Sequence, residues 1–123
     1  MSITKNESQK QYDLEDRTLE FAKRARKFVK ELPKSSGNFE DGKQLIRASG
    51  SVGANYIEAN EALSKKDFLM RIKISRKESK EAMYWLKLVD TKDNQELEKE
   101  RKDLINEATE LMNIFGSIIR KSE

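Results

Sequence analysis

The sequence predicts an all-α protein, folded as an up-and-down antiparallel four-helix bundle, from three observations. The 123 residues include one proline and five glycines, too few for a turn-rich β protein. Four segments carry apolar residues at steps of three and four, the period of a helix with one buried face. Short polar stretches separate these segments, which favours antiparallel neighbours. A chain of this length suits one domain with its own core.

The polar residues 1–12 predict a flexible N-terminal tail, and the bundle is expected over residues 13–123. The first helix is predicted over residues 14–32, because Pro33 cannot continue it. A polar loop follows at residues 34–38, and the second helix is predicted over residues 39–63.

The third helix is predicted over residues 65–89. Ser64 and Asp67 have the spacing of a capping box, in which side-chain oxygens accept hydrogen bonds from backbone N–H groups at a helix start. Residues 90–94 are polar and predict a turn, and the fourth helix is expected over residues 95–121.

The second helix contains residues 48–57, a run without charge in a chain where 38% of residues are charged. One face of this helix carries the apolar stripe that the core needs. An adjoining face carries Ile46, Gly50, Gly53 and Ile57, and it predicts an oligomer contact with close backbone approach. The Gly50–Gly53 spacing also matches a KH-domain clamp weakly, but that fold needs strands.

The composition excludes several kinds of chemistry. The chain has no cysteine and no histidine, so disulfides, thiolate ligands and the commonest general base are missing. An enzyme would have to use carboxylates such as Glu58, Glu78 and Glu81, and we expect neither enzymatic activity, nor a metal, nor a cofactor. No apolar run has the length of a signal-peptide core or a membrane span, so we expect a cytoplasmic protein without membrane contact.

Charge alternates along the chain, because the first and third helical segments are net basic and the second and fourth are net acidic. One interpretation is pairing between neighbouring helices. The other is binding of a phosphate backbone by two basic stripes. The lysines and arginine of these stripes are Lys73, Arg76, Lys77, Lys80 and Lys87 on the third helix and Lys23, Lys27 and Lys30 on the first.

Three polar residues of the second helix, Arg47, Asn55 and Glu58, are spaced to lie near one face. Their pattern favours a buried polar network over a ligand site. Tyr84 and Trp85 could stack on bases, but their position among apolar residues favours the core.

Three segments, residues 42–59, 64–68 and 77–86, resemble the four-helix-bundle proteins encoded in intervening sequences of bacterial 23S ribosomal RNA genes. The longest of them is GKQLIRASGSVGANYIEA. The most specific positions are Arg47, Ser51, Val52, Asn55, Glu58, Asp67, Phe68 and Glu78. Tyr56 and Ala59 depart from the isoleucine and glycine of many relatives, so packing at the end of the second helix is expected to differ.

The resemblance covers nearly the whole chain from Tyr12, and the same superfamily includes the accessory protein of diversity-generating retroelements. It implies a small bundle that assembles into a ring, with a homopentamer as the expected size, and a nucleic-acid role without catalysis. We therefore predict a non-enzymatic scaffold that binds itself and RNA or a ribonucleoprotein. The alternatives are a protein-binding adaptor and, behind it, a carboxylate metal enzyme.

Overall fold

Four α-helices make up most of the part of the chain that the computed structural model describes, residues 2–123, with side chains from residue 14 onward. They are α1 (Ser2–Glu31), α2 (Ser36–Asn60), α3 (Lys65–Leu88) and α4 (Gln95–Ser122), and no strand occurs between residues 2 and 123. The predicted all-α class is confirmed. Helix α1 begins well before residue 14. The flexible tail predicted over residues 1–12 stays a prediction, because Met1 and the side chains of residues 2–13 lie outside the described part of the chain.

The helices form an antiparallel square. Helix α1 packs on α2 and α4, and α3 packs on the same two helices, so α1 and α3 lie diagonally across the bundle. The core between them is apolar, and its largest fully buried side chains are Phe21, Phe28, Phe115, Leu45 and Ile72. The up-and-down bundle predicted from the sequence is therefore present.

Polar caps fix where α2, α3 and α4 begin. Ser35, Ser64 and Asn94 each accept a hydrogen bond from the backbone N–H three residues later, at 3.1, 3.0 and 3.0 Å. These caps satisfy N–H groups that have no partner within the helix. Helices α3 and α4 begin at the predicted residues, but α2 begins at Ser36, inside the predicted loop, and ends at Asn60. Leu63, the last residue of the predicted helix, is 99% exposed beyond that end.

Asn38 joins two connections at one end of the bundle. Its side-chain amide donates to the carbonyl oxygens of Pro33 at 2.9 Å and Asp90 at 2.8 Å, and its oxygen accepts the Asp90 N–H at 2.8 Å. The α1–α2 and α3–α4 connections are thus tied together by one buried side chain.

Candidate nucleic-acid interface

The outward face of α3 carries one continuous line of polar and aromatic side chains. We call Lys73, Lys77, Lys80, Tyr84 and Lys87 the α3 basic stripe, and all five are exposed. Steps of three and four keep them on one side of the helix. The opposite side is held inward by buried residues, among them Ile72 and Leu86.

Most of the charge on this stripe has no counterion within the described residues. Over residues 14–123, no carboxylate oxygen lies within 4.0 Å of the ammonium groups of Lys77, Lys80 and Lys87. Lys73 Nζ lies 3.5 Å from Glu123 Oε2. Arg76, predicted with this group, is exposed but reaches toward α4, where its Nε would lie 3.6 Å from a Cβ built on Gly116.

Tyr84 is 59% exposed, so the prediction that it belongs to the core is wrong. Its ring meets Trp85 edge-on, with centroids 5.0 Å apart and planes at 79°. Trp85 is half-buried against the core, and its indole N–H donates to Glu81 Oε1 at 3.3 Å. The sequence predicted both aromatics inside because they lie among apolar residues, yet neighbours on a helix point about 100° apart, so only one of them can face the core.

A shallow groove of about 400 Å³ runs along this stripe, lined by Lys77, Lys80, Glu81, Met83, Tyr84 and Lys87. The Glu81 carboxylate is bound to Arg47, which leaves the lysines as the uncompensated charge of the groove. An aromatic ring among ammonium groups is suited to a phosphate backbone with accessible bases.

The predicted α1 lysines lie elsewhere. Lys23, Lys27 and Lys30 are exposed, but α1 is diagonal to α3, so the two sets do not form one surface. Lys27 borders a groove with Glu96 and Glu100 of α4, but over residues 14–123 no carboxylate oxygen lies within 4.0 Å of the ammonium groups of these three lysines either.

Two arginines on α1 are bound to α4. Arg17 donates to both oxygens of Glu107 at 2.8 and 3.0 Å and to Glu110 at 3.0 Å, and these contacts, chiefly the Glu107 hydrogen bond, raise its pKa above the usual value. Arg24 donates to both oxygens of Glu100 at 3.3 Å. Pairing between neighbouring helices is therefore present at the α1–α4 seam.

The structure does not gather Arg47, Asn55 and Glu58 into one buried network, which corrects that prediction. Arg47 donates to Glu78 Oε2 at 3.3 Å and to Glu81, and the hydrogen bond with Glu78 contributes most to raising the pKa of its guanidinium. The helical period gave the face of Arg47 correctly, but its partners lie on α3 and could not be read from spacing within α2.

Asn55 bonds to Ser51 and accepts from Arg71 Nη1 at 3.0 Å, whereas Glu58 is exposed. Glu78 of α3 binds Arg47 of α2, and the sequence did not predict it as a member of this polar network. It is 8% exposed, and its Oε1 has no hydrogen-bond partner within the described residues.

The predicted oligomer face divides into two parts. A Cβ on Gly53 would lie 2.8 Å from Thr18 Oγ1, so this glycine allows α1 to approach α2 within one chain. Gly50 faces open space, Ile57 is 50% exposed, and Ile46 is half-buried. Gly53 is thus removed from the outward face, and the other three residues remain on it.

Ile46 also lines an apolar groove of about 730 Å³ where α1 ends and α2 begins. Its other apolar side chains include Val29, Leu32, Pro33 and Phe39. Lys43 Nζ lies 4.7 Å from the Phe39 ring centroid, so a cation already covers that ring.

The carboxylates weighed for a metal site do not converge. Glu78 and Glu81 bind Arg47, and Glu58 lies apart from them on the surface. Over residues 14–123 no three carboxylates are grouped closely enough to hold a metal ion. Within residues 2–123 no helix combines the length and apolar character that crossing a bilayer requires.

The fold and this surface define a small helical-bundle protein with an exposed row of lysines beside a tyrosine on α3. The family model of the 23S rRNA-intervening sequence protein matches residues 10–117, and the chain belongs to this family. The chain is also similar to a crystal structure of a protein of unknown function from the S23 ribosomal protein family of Bacteroides thetaiotaomicron. The two share 34% identity and a TM-score of 0.77 over 90% of this chain and 98% of that one. No curated protein matches the sequence.

Proposed function

We propose that this protein is a non-enzymatic scaffold that binds RNA, alone or in a ribonucleoprotein, through the α3 basic stripe. The observation that carries the proposal is that Lys77, Lys80 and Lys87 share one outward face without a carboxylate partner among the described side chains. Membership of a family named for an rRNA intervening sequence supports the same partner class. The cytoplasm is the compartment that this role requires.

The net charge of +3 is small, so binding must come from local clustering. Lysines on flexible stems can follow an irregular backbone and release counterions from it. The proposed contact is to phosphates, so little base preference is expected from the lysines themselves.

The test compares two triple variants that remove the same charge. Lys77, Lys80 and Lys87 are changed together to glutamine, and Lys23, Lys27 and Lys30 are changed in the matched control on α1. Binding to a fluorescent RNA is measured by anisotropy at several salt concentrations. We expect the α3 variant to lose affinity and to reduce the salt slope by about 0.7–0.9 for each phosphate that the protein no longer neutralises. The α1 variant should change both values little.

Equal losses in both variants would contradict the α3 stripe, because they would indicate a response to total charge alone. Absence of wild-type binding to any RNA at low salt would defeat the nucleic-acid proposal and favour the protein adaptor.

Self-association is the second part of the proposal, with a homopentameric ring as the expected form. Phe39 is 57% exposed and lies on the outward side of α2 with Ile46, Gly50 and Ile57. Exposed apolar side chains at helical spacing support a contact between copies. A ring would repeat the basic stripe once per subunit and turn weak single sites into an avid surface.

Light scattering after size exclusion tests the ring. We expect the parent to elute well above 14.3 kDa, and Ile57→Lys to dissociate it by placing a charge in the contact. Gln44→Lys, exposed on a different side of α2, is the matched control. A parent that stays monomeric over the whole concentration range contradicts self-association.

A protein-binding adaptor is the alternative function, and the apolar groove between α1 and α2 favours it. A groove of that size suits an apolar side chain or helix of a partner. Pull-down from lysate with and without nuclease separates the two functions, because an RNA-mediated partner is lost on nuclease treatment and a direct protein partner is kept.

A further inference from the structure

We propose that Tyr84 is a stacking platform for one unpaired base, so that the α3 basic stripe selects single-stranded over duplex RNA. This inference rests on the proposed RNA binding and adds the strand class. Its basis is the position of one exposed ring between Lys80 and Lys87, with Lys77 one turn further back.

The Tyr84 ring has one aromatic neighbour within residues 14–123, and much of its surface remains free. Its contact with Trp85 is edge-on, at 79°, and Trp85 donates a hydrogen bond to Glu81. An edge-on neighbour leaves ring surface open to a base.

Phe39 is the second strongly exposed aromatic among the described side chains, but its ring has less free surface. The ammonium group of Lys43 lies 4.7 Å from its ring centroid and occupies one face. No cation lies over the Tyr84 ring among the described side chains. Of these two exposed rings, Tyr84 is the one with space for a base.

The local electrostatics also favour a phosphate strand beside Tyr84. A helix C-terminus normally carries partial negative charge from its free carbonyl groups. Here Arg101 Nη1 donates to the carbonyl oxygens of Leu86, Lys87 and Val89 at 3.1, 3.1 and 2.8 Å. The end of α3 that carries Tyr84 and Lys87 is thereby neutralised and repels phosphate less.

The dimensions agree with a short strand. From Lys73 to Lys87 the stripe extends about 21 Å at 1.5 Å per residue, which is room for a few nucleotides of an extended strand. A base can reach Tyr84 only if it is not paired, because a duplex keeps its bases stacked inside.

The experiment measures wild-type and variant binding to three fluorescent probes of equal length. The probes are a single-stranded RNA, the same strand without bases, and its duplex. We expect Tyr84→Ala to weaken binding of the single strand about five- to a hundredfold and to leave the abasic strand and duplex unchanged. Tyr84→Phe should keep wild-type affinity because stacking needs the ring and not the hydroxyl.

A matched control is available. Leu88→Ala removes an exposed apolar side chain one turn away on α3. It should bind all three probes as the parent does. Tyr84 is exposed, so its variants should melt at the parent temperature by circular dichroism.

Three outcomes overturn the stacking platform. If Tyr84→Ala binds the single strand with wild-type affinity, or loses the same affinity for the abasic strand as for the single strand, then no base stacks on the ring. RNA binding through the lysines would still stand. If Tyr84→Ala dissociates an oligomer in light scattering, the ring is a contact between copies. If the wild type binds none of the probes, the proposed function fails together with this inference.

Discussion

Helices α1 and α3 are both net basic, but among the described residues only α1 pairs arginines with carboxylates of α4. On α1, Arg17 and Arg24 each donate two hydrogen bonds to one carboxylate of α4. On α3, Lys77 and Lys80 project from the outward face without such a partner in the described chain. A planar guanidinium suits a fixed carboxylate across a helix seam, whereas an ammonium group on a flexible stem stays hydrated.

Net charge per helix therefore explains only part of the pairing. It accounts for the α1–α4 seam, where a basic helix meets an acidic one. At the α2–α3 seam the pairing is reversed, because Arg47 of the acidic helix binds Glu78 and Glu81 of the basic one. Individual positions decide which charges become structural, and the role of the α3 lysines in binding RNA remains a prediction.

The largest expected effect tests how closely α1 is attached to the bundle. Gly53→Leu adds a side chain where even a Cβ would lie 3.0 Å from Thr18 Cβ, inside the buried α1–α2 contact. We expect a loss of about 2–3 kcal/mol in the free energy of unfolding, measured with urea. Gly50→Ala is the control: it faces open space, so it should stabilise α2 by about 0.5–1 kcal/mol. Parent-like stability of Gly53→Leu would show that the contact is loose.

The second effect concerns Arg101 of α4, which donates hydrogen bonds to carbonyl oxygens at the C-terminal end of α3. Arg101→Ala leaves the carbonyl oxygens of Leu86, Lys87 and Val89 without this donor. We expect a loss of about 2 kcal/mol in unfolding free energy, because the part-buried carbonyl oxygens of Leu86 and Val89 lose their hydrogen-bond donor. Lys102→Ala, exposed on the same helix, should stay within about 0.5 kcal/mol of the parent. Similar losses in both variants would mean that the hydrogen bonds from Arg101 to the α3 carbonyl oxygens do not contribute to stability.

The sequence predicted the bundle well because caps and apolar periodicity act locally. Ser64 lies beside the start of α3, and the predicted start is correct. Ser35 caps α2 in the same way, but with Gly37 and Asn38 following it, the segment resembled a loop. Local composition cannot show that Asn38 binds Asp90, a contact between residues far apart in the chain.

The candidate site was predicted less completely for the same reason. Spacing alone placed four lysines and Arg76 of α3 on one face. The structure agrees for the lysines, whereas Arg76 reaches toward α4. The exposure of Tyr84 and the Thr18 contact of Gly53 depend on which neighbouring helix lies beside them. A pattern with a 3.6-residue period contains no information about the opposite helix.

The third effect separates the two kinds of positive charge directly. Arg17→Gln and Lys77→Gln each remove one charge, but only Arg17 is bound to carboxylates, with its side chain 27% exposed and that of Glu107 19% exposed. We expect Arg17→Gln to lower unfolding free energy by about 1 kcal/mol and Lys77→Gln to change it by less than about 0.5 kcal/mol. A double-mutant cycle with Glu107→Gln checks that the loss belongs to the pair. Equal effects of both variants would remove the distinction between α1 and α3.

The smallest effect depends on pH and tests a carboxylate bound by a hydroxyl group and an arginine. Glu98 accepts hydrogen bonds from the Thr91 hydroxyl and, at 2.6 Å, from Arg101 Nη2. The Thr91 bond first, and then Arg101, lowers the pKa of Glu98 below its ordinary value of 4.5. The unfolded chain thus binds a proton at higher pH than the folded one, so this contribution to stability is present above pH 4.5 and is lost as pH falls through the lowered pKa. We expect Glu98→Gln to melt below the parent at neutral pH and to approach it as pH falls through the lowered pKa of Glu98. Glu96→Gln, exposed in the same first turn of α4, is the control, and its difference from the parent should not follow this course. A gap between parent and Glu98→Gln that stays constant down to acid pH would mean that the charge of Glu98 does not stabilise the fold.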